Sequence, residues 1–165
     1  MRVLRAIAGT LGLALMLATP AAAAGISSSW TTDFGALDLS IDDRMAVTGS
    51  YPKYRGRIHG RMSQNGQITA YWLQPTSERA CGKQVHGTWY WGVVVWTVRP
   101  NGDLDGEWSY CRDRPGAGGT WSGQLLSGAS PTALLGAPGG GSVDTGNASK
   151  DPADVFLKLL DVLTD

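Results

Sequence analysis

Five basic-type side chains fall at alternate positions: Lys53, Arg55, Arg57, His59 and Arg61. Alternate residues of an extended strand share a face, so this spacing predicts one cationic row about 26–28 Å long. Such a row suits an anion: phosphate, an acidic glycan or lipid headgroups. It equally suits a solvated face whose charges discourage edge pairing. A second row, Asp103, Asp105 and Glu107, carries the opposite sign and offers a third use, self-association between copies. His59, lying within arginines, is expected to titrate low.

Those three acids share a face, as a general acid and base would. Adjacent carboxylates on a wet strand are ordinarily just solvated. His59 and His86 are the only histidines, so a three-histidine metal site would need a partner chain. No CxxC, HExxH or glycine-rich phosphate loop occurs. Serine, histidine and aspartate are all present, but nothing brings a triad together. The chain therefore reads as a binding protein rather than an enzyme, with no cofactor implied.

The elements that would position these residues are short strands. Leu37, Leu39 and Ile41 alternate with Ala36, Asp38 and Ser40; Met45, Val47, Gly49 and Tyr51 alternate with Ala46, Thr48 and Ser50. Period-two alternation puts one set inward and the other toward water. Asn65-Gly66 and Asn101-Gly102 are tight-hairpin signals in which both central residues take positive φ. The pattern predicts eight strands, at about 27–32, 36–41, 45–51, 54–62, 67–74, 86–98, 103–110 and 119–125. Sequential hairpins of this kind predict an all-β fold: an eight-stranded antiparallel up-and-down barrel, which closes its own edges.

A small repeat fits this plan. Gly49-Ser-Tyr51, Gly87-Thr-Trp89, Gly106-Glu-Trp108 and Gly119-Thr-Trp121 share Gly-x-aromatic, with glycine and ring on one strand face. Glycine lets the sheet curve while the ring covers the backbone. The same rings could line a lumen holding a flat ligand. The sixth strand is unusual, because Trp89, Trp91, Val93 and Val95 make one face apolar and Tyr90, Val94, Trp96 and Val98 the other. Something must cover its outer face: a partner subunit, an element of the same chain, or a bend at Gly92 that flips the phase.

The two cysteines follow from the meander. Successive loops alternate between barrel ends, so Cys81 in the fifth-to-sixth loop and Cys111 at the start of the seventh-to-eighth loop share one end. A disulfide requires that proximity, and an exported chain meets oxidising conditions. Export is expected from residues 1–24. Arg2 and Arg5 precede the 13-residue apolar run Ala6–Ala18, and Ala21–Ala24 offers small residues for cleavage. The run is shorter than the ~20 residues of a membrane-spanning helix. The expected location is the periplasm or the exterior.

All 165 residues carry a formal net charge of zero. Without the two leader arginines the balance is 12 basic and 14 acidic residues. That excludes a generally basic nucleic-acid binder. Residues 127–150, rich in Gly, Ser, Ala and Pro, predict a flexible linker. Residues 151–165 predict a short amphipathic helix capped by Asp151, with Val155, Phe156, Leu159, Leu160 and Leu163 on one face. Docking of this tail on the 86–98 strand, or on another protein, is expected.

Trp30-Thr31-Thr32-Asp33-Phe34-Gly35 followed by Val47-Thr48-Gly49-Ser50-Tyr51 resembles the first three strands of avidin and streptavidin. Thr120-Trp121-Ser122-Gly123-Gln124 also resembles a streptavidin strand, although it falls on the eighth strand here and on the sixth in that family. The chain is similar too to Trp- and Gly-rich exported bacterial proteins. The avidin resemblance implies an eight-stranded barrel holding a small molecule at its loop end. It does not imply biotin. Where the family sets an Asn and a Ser against the ureido oxygen, this chain has Thr32 and Ala36, and only Tyr51 is kept.

The reading is thus an exported small-ligand-binding barrel whose candidate site is Trp30, Thr32, Tyr51, Trp72, Trp108 and Trp121. The alternative is an envelope or surface-interaction module using its outer basic face. A carbohydrate-binding version would need two or three tryptophans exposed in a coplanar row.

Overall fold

The computed structural model describes residues 25–136. The expected leader, most of the expected linker and the expected helix 151–165 lie outside the described residues. The strands are β1 (Ile26–Thr32), β2 (Gly35–Ile41), β3 (Ala46–Tyr51), β4 (Gly56–Met62), β5 (Gln67–Gln74), β6 (Tyr90–Val98), β7 (Leu104–Tyr110), β8 (Gly119–Thr120) and β9 (Gly123–Gly128). Each pairs antiparallel with the next from β1 to β7. β8 and β9 share the eighth stave: both pair with β7, and β9 closes the barrel onto β1. The result is the expected eight-stranded antiparallel barrel.

Alternation sorts the side chains as expected. Leu37, Leu39 and Ile41 are buried while Ala36, Asp38 and Ser40 are exposed. One half of the interior is solid. Trp30, Leu37, Leu39, Ile41, Val47, Ile58, Met62, Ile68, Val94, Trp96, Val98 and Leu104 belong to one core. The Trp30 indole N–H donates to the Gly102 carbonyl (2.9 Å) at the β6–β7 turn, which anchors that ring in the closed end.

Three hairpins use one turn. At Asp42–Ala46, Ser63–Gln67 and Arg99–Asp103 the first N–H reaches the fifth residue's carbonyl, and the fourth N–H returns to the first carbonyl. The fourth residue, Met45, Gly66 or Gly102, takes positive φ (62°, 81° and 89°). This is a type I turn with a glycine-type bulge. The expectation that Asn65 and Asn101 also adopt positive φ is corrected. Their side-chain oxygens instead accept from the N–H two residues on, at Gln67 (3.3 Å) and Asp103 (3.2 Å), which holds them in an Asx-type turn.

Strand four is shorter than expected. Pro52–Tyr54 forms a 3-10 turn, and Arg55 takes φ 51° with its N–H on the Pro52 carbonyl. Proline lacks the N–H a strand needs and fixes φ near a turn value. Lys53 and Arg55 therefore leave the row, and only Arg57, His59 and Arg61 remain on the outer face of β4. Asp103 likewise precedes β7. Its carboxylate accepts from the Leu125 N–H (2.9 Å) and the Asn101 amide (2.7 Å).

The sixth strand starts at Tyr90 rather than 86. Residues Val85–Thr88 form a two-residue hairpin in which His86 (φ 46°) and Gly87 (φ 80°) are both left-handed. This turn belongs to loop 75–89, which folds back over the barrel's outer wall. Cys81 and Val85 pack on Tyr71, Leu73, Trp91 and Val93 as a second, external core. An element of the same chain thus covers the outer face of Trp91 and Val93, and no phase flip occurs at Gly92. The Trp91 indole N–H donates to Lys83 in that loop (2.7 Å). Cys81 and Cys111 form the expected disulfide, and Arg79–Asp113 (2.5 Å) joins the same two loops.

Of the repeat's glycines only Gly106 and Gly119 meet a ring, and in both cases the ring belongs to the neighbouring strand. Gly56 faces Tyr51, Gly92 faces Trp72 and Gly106 faces Trp96 in the paired registers. A Cβ on these glycines would fall 2.0, 2.5 and 2.4 Å from the opposing ring. Each ring thus lies on bare backbone of its neighbour, which lets large rings fit inside a narrow barrel.

The eighth stave breaks at Trp121–Ser122. The Trp121 N–H donates to Gly106 (2.8 Å), and Asp33 exchanges bonds with Ser122 at 3.2 and 2.7 Å. Of the residues expected as linker, 127–136 are described: β9 runs to Gly128, and Pro131–Gly136 forms a 3-10 segment whose Leu134 packs on the core. No helix among the described residues is long and apolar enough to cross a membrane.

Candidate functional site

The barrel is filled at one end and open at the other. The open end gathers Phe34 after β1, the Pro52–Tyr54 turn, loop 75–89 and the loop after β7. A cavity of about 290 Å³ lies there. That is the low end of the roughly 300–1,000 Å³ usual for small-molecule sites.

Each wall residue is placed by strand parity. Trp72 and Gln74 share the inner face of β5, Trp108 and Tyr110 that of β7, and Tyr51 ends the inner face of β3. Trp121 enters from the broken eighth stave, and Tyr54 and Phe34 from the rim. The rings pack edge to face. Phe34–Trp121 centroids are 4.8 Å apart, Tyr51–Trp121 5.1 Å, Trp108–Tyr110 5.0 Å and Trp72–Tyr110 5.4 Å. Such pairs stabilise by ~0.5–1.5 kcal/mol each beyond simple burial, so the wall is stiff and preformed.

Most indole donors are already used. Trp72 donates to the Ser109 carbonyl (3.1 Å), Trp96 to the Trp121 carbonyl (2.8 Å), and Trp121 to the Thr32 hydroxyl (3.2 Å). Thr32 in turn donates to the Gly35 carbonyl (2.8 Å) and accepts from the Phe34 N–H (3.1 Å). Its hydroxyl is therefore occupied with holding Trp121 and the β1–β2 turn. Tyr51 differs. It is 1% exposed, and its hydroxyl is buried without a hydrogen-bond partner. Burial pushes its ionisation well above the usual tyrosine range; a hydrogen-bonding influence of the Gln74 side chain, short of the geometry of a formed bond, offsets this partly, and Tyr54 adds to it.

Of the six lumen candidates, Tyr51, Trp72, Trp108 and Trp121 come together around the cavity. Trp30 lies in the packed end, and Thr32 supports Trp121 from behind. Phe34, Tyr54, Gln74, Tyr110 and Glu78 also line the cavity and were not singled out from sequence. Gln74 and Tyr110 carry a usable signal: each is two residues beyond a lumen tryptophan, hence on its face.

The basic candidates lie outside the barrel. Lys53 turns onto Tyr54, its ammonium 5.3 Å from the ring centroid. Arg57, His59 and Arg61 face outward on β4, and Arg61 donates to the Arg44 carbonyl (2.9 Å). His59 stacks on His86 of loop 75–89, centroids 4.8 Å apart. Its pKa is lowered, first by burial, then by His86 and Arg57, as its place in the row predicts. Trp89 is the one exposed tryptophan (47%), so no coplanar row of exposed indoles exists for a sugar to stack on. Among the described residues no three His, Cys, Asp or Glu side chains converge as a metal site.

No protein-family model, curated protein or solved structure matches the chain.

Proposed function

We propose that this chain is an exported binding protein that holds a small, planar, uncharged ligand in the open mouth of its barrel. One observation carries the reading: the Tyr51 hydroxyl is buried and unpartnered in the wall of a 290 Å³ aromatic cavity. An unsatisfied buried donor costs ~1–3 kcal/mol, and a ligand bearing an acceptor there recovers that cost. The surrounding rings favour a flat ligand that stacks edge or face against them. Glu78 is the one charged residue among those lining the cavity, which argues against an anion.

The reading keeps the architecture of avidin-like barrels and departs from their ligand. Thr32 is committed to Trp121, and Ala36 has no side-chain donor, which argues against biotin. Export is supported by the leader-like residues 1–24 and by the Cys81–Cys111 disulfide, which suits an oxidising compartment. The test is intrinsic tryptophan fluorescence against a library of uncharged planar metabolites. Saturable quenching by one chemical class supports the reading; a silent library rejects it.

A further inference from the structure

Arg55 and Arg57 line a second cleft, of about 370 Å³, on the outside of the barrel. Its other walls are Leu73 and Gln74 of β5, Pro75, and Gly87 and Thr88 of the His86-Gly87 turn. Loop 75–89 folds over β5 and β6 and reaches β4 where His86 stacks on His59, leaving a trough beside Arg57. No acidic residue lines it, and neither arginine makes an ion pair among the described residues. The flanking strands neutralise nothing: β3 presents Thr48 and Ser50, and β5 presents Tyr71 and Leu73.

We propose that this cleft binds a tetrahedral oxyanion, a phosphate or sulfate group, between the Arg55 and Arg57 guanidiniums. Planar guanidinium forks match such oxygens in paired hydrogen bonds. A tetrahedral group directs its acceptor oxygens out of one plane, which suits two separate guanidiniums better than the planar oxygen pair of a carboxylate. Arg55 is held at the cleft edge by a left-handed backbone, φ 51°. That conformation is costly for a residue with a side chain and is a frequent mark of functional sites. Arg57 faces outward and Tyr51 inward on adjacent strands, so the arginines are no part of the ligand cavity; Gln74, at the end of β5, is the one residue that borders both.

The anion would also be felt by His59. The ionisable or charged groups facing that imidazole are Arg57 and Arg61 on β4, His86 from the loop and the Tyr71 phenol from β5; β3 contributes none. A bound oxyanion adds the missing negative charge, so His59 titrates at higher pH in its presence.

The experiment is an NMR titration of the whole chain with sodium phosphate or sodium sulfate against sodium chloride at constant ionic strength, following arginine Nε–H and histidine ring signals. A heparin tetrasaccharide forms a third arm. Saturable shifts at Arg55 and Arg57 with a raised His59 midpoint are expected. Response to the inorganic ions identifies a free anion as sufficient; response to heparin alone identifies an ester group on a larger molecule. The double variant Arg55→Ser/Arg57→Ser should weaken binding at least tenfold and leave tryptophan emission unchanged. Arg61→Ser, on the same row but outside the cleft, should retain affinity. Shifts no larger than with chloride in all arms, full affinity in the double variant, or equal loss in Arg61→Ser would each overturn the proposal. None of these outcomes bears on the internal cavity, which Arg55 and Arg57 do not line.

Discussion

The Tyr51 ring lies directly on Gly56, its partner across the β3–β4 pair: a Cβ at position 56 would sit 2.0 Å from the ring carbon that bears the hydroxyl. This glycine makes room for the ring and thereby fixes where the unpartnered hydroxyl stands. The cavity wall is set by backbone as much as by side chains.

Gly56→Ala should therefore move Tyr51. Overpacking of this kind costs ~1–3 kcal/mol. Urea denaturation should show a loss in that range, with the tertiary aromatic circular dichroism altered before unfolding. An unperturbed aromatic spectrum would mean that the ring has another place to go.

Tyr51→Phe should do the reverse to the unliganded protein. Removing an unsatisfied buried hydroxyl should leave stability unchanged or raise it by up to ~1 kcal/mol. The wild type should also show an alkaline limb. Because the folded protein holds Tyr51 protonated above the ordinary tyrosine value of 10.0, the unfolded chain releases that proton first. The contribution is complete below pH 10 and is lost as pH rises beyond it. Denaturation midpoints between pH 9 and 11 should fall for the wild type and fall less for Tyr51→Phe.

Much of this arrangement is legible in the sequence, and the gaps have physical reasons. Alternation is a one-dimensional signal, so it gives the staves and the inward parity of Tyr51, Trp72 and Trp108. Loop alternation in a meander gives the Cys81–Cys111 pair. Pairing across strands is not one-dimensional. The repeat Gly-x-aromatic reads along a strand, whereas the working contacts, Tyr51 on Gly56 and Trp72 on Gly92, depend on register. The two apolar faces of β6 correctly demanded a cover, but loop 75–89 has no apolar period to mark it as one. Its buried apolar side chains in the external core are only Cys81 and Val85. The basic row failed at Lys53 and Arg55 because Pro52 ends strand geometry, a signal visible in the sequence but outweighed there by five evenly spaced cations.

Removing the disulfide should loosen the external core first. Cys81→Ala/Cys111→Ala opens a crosslink spanning 30 residues, worth ~3–4 kcal/mol in the chain-entropy model. Tyr71, Leu73, Trp91 and Val93 would lose part of their cover. The variant should bind a hydrophobic dye more strongly and show faster hydrogen exchange in loop 75–89, while β1–β4 keep their protection. Uniform loss of protection would show that the loop and the barrel unfold as one unit.

Acid should act at the His59–His86 stack. The His59 pKa lies below the ordinary histidine value of 6.5, so the unfolded chain takes up the proton more readily. Stability from this group is complete above pH 6.5 and is lost as pH falls through the lower folded value. His59→Gln should flatten that limb in a pH series of denaturant midpoints. An identical slope in the variant would assign the acid sensitivity to the carboxylates.

The most direct test of the ligand-binding account is the affinity ratio between wild type and Tyr51→Phe for the strongest planar ligand found by tryptophan fluorescence, measured by calorimetry. A ligand that accepts from the Tyr51 hydroxyl should bind one per chain and lose at least about tenfold in affinity in the variant, the equivalent of ~1.4 kcal/mol. Equal affinity in the two proteins would contradict it.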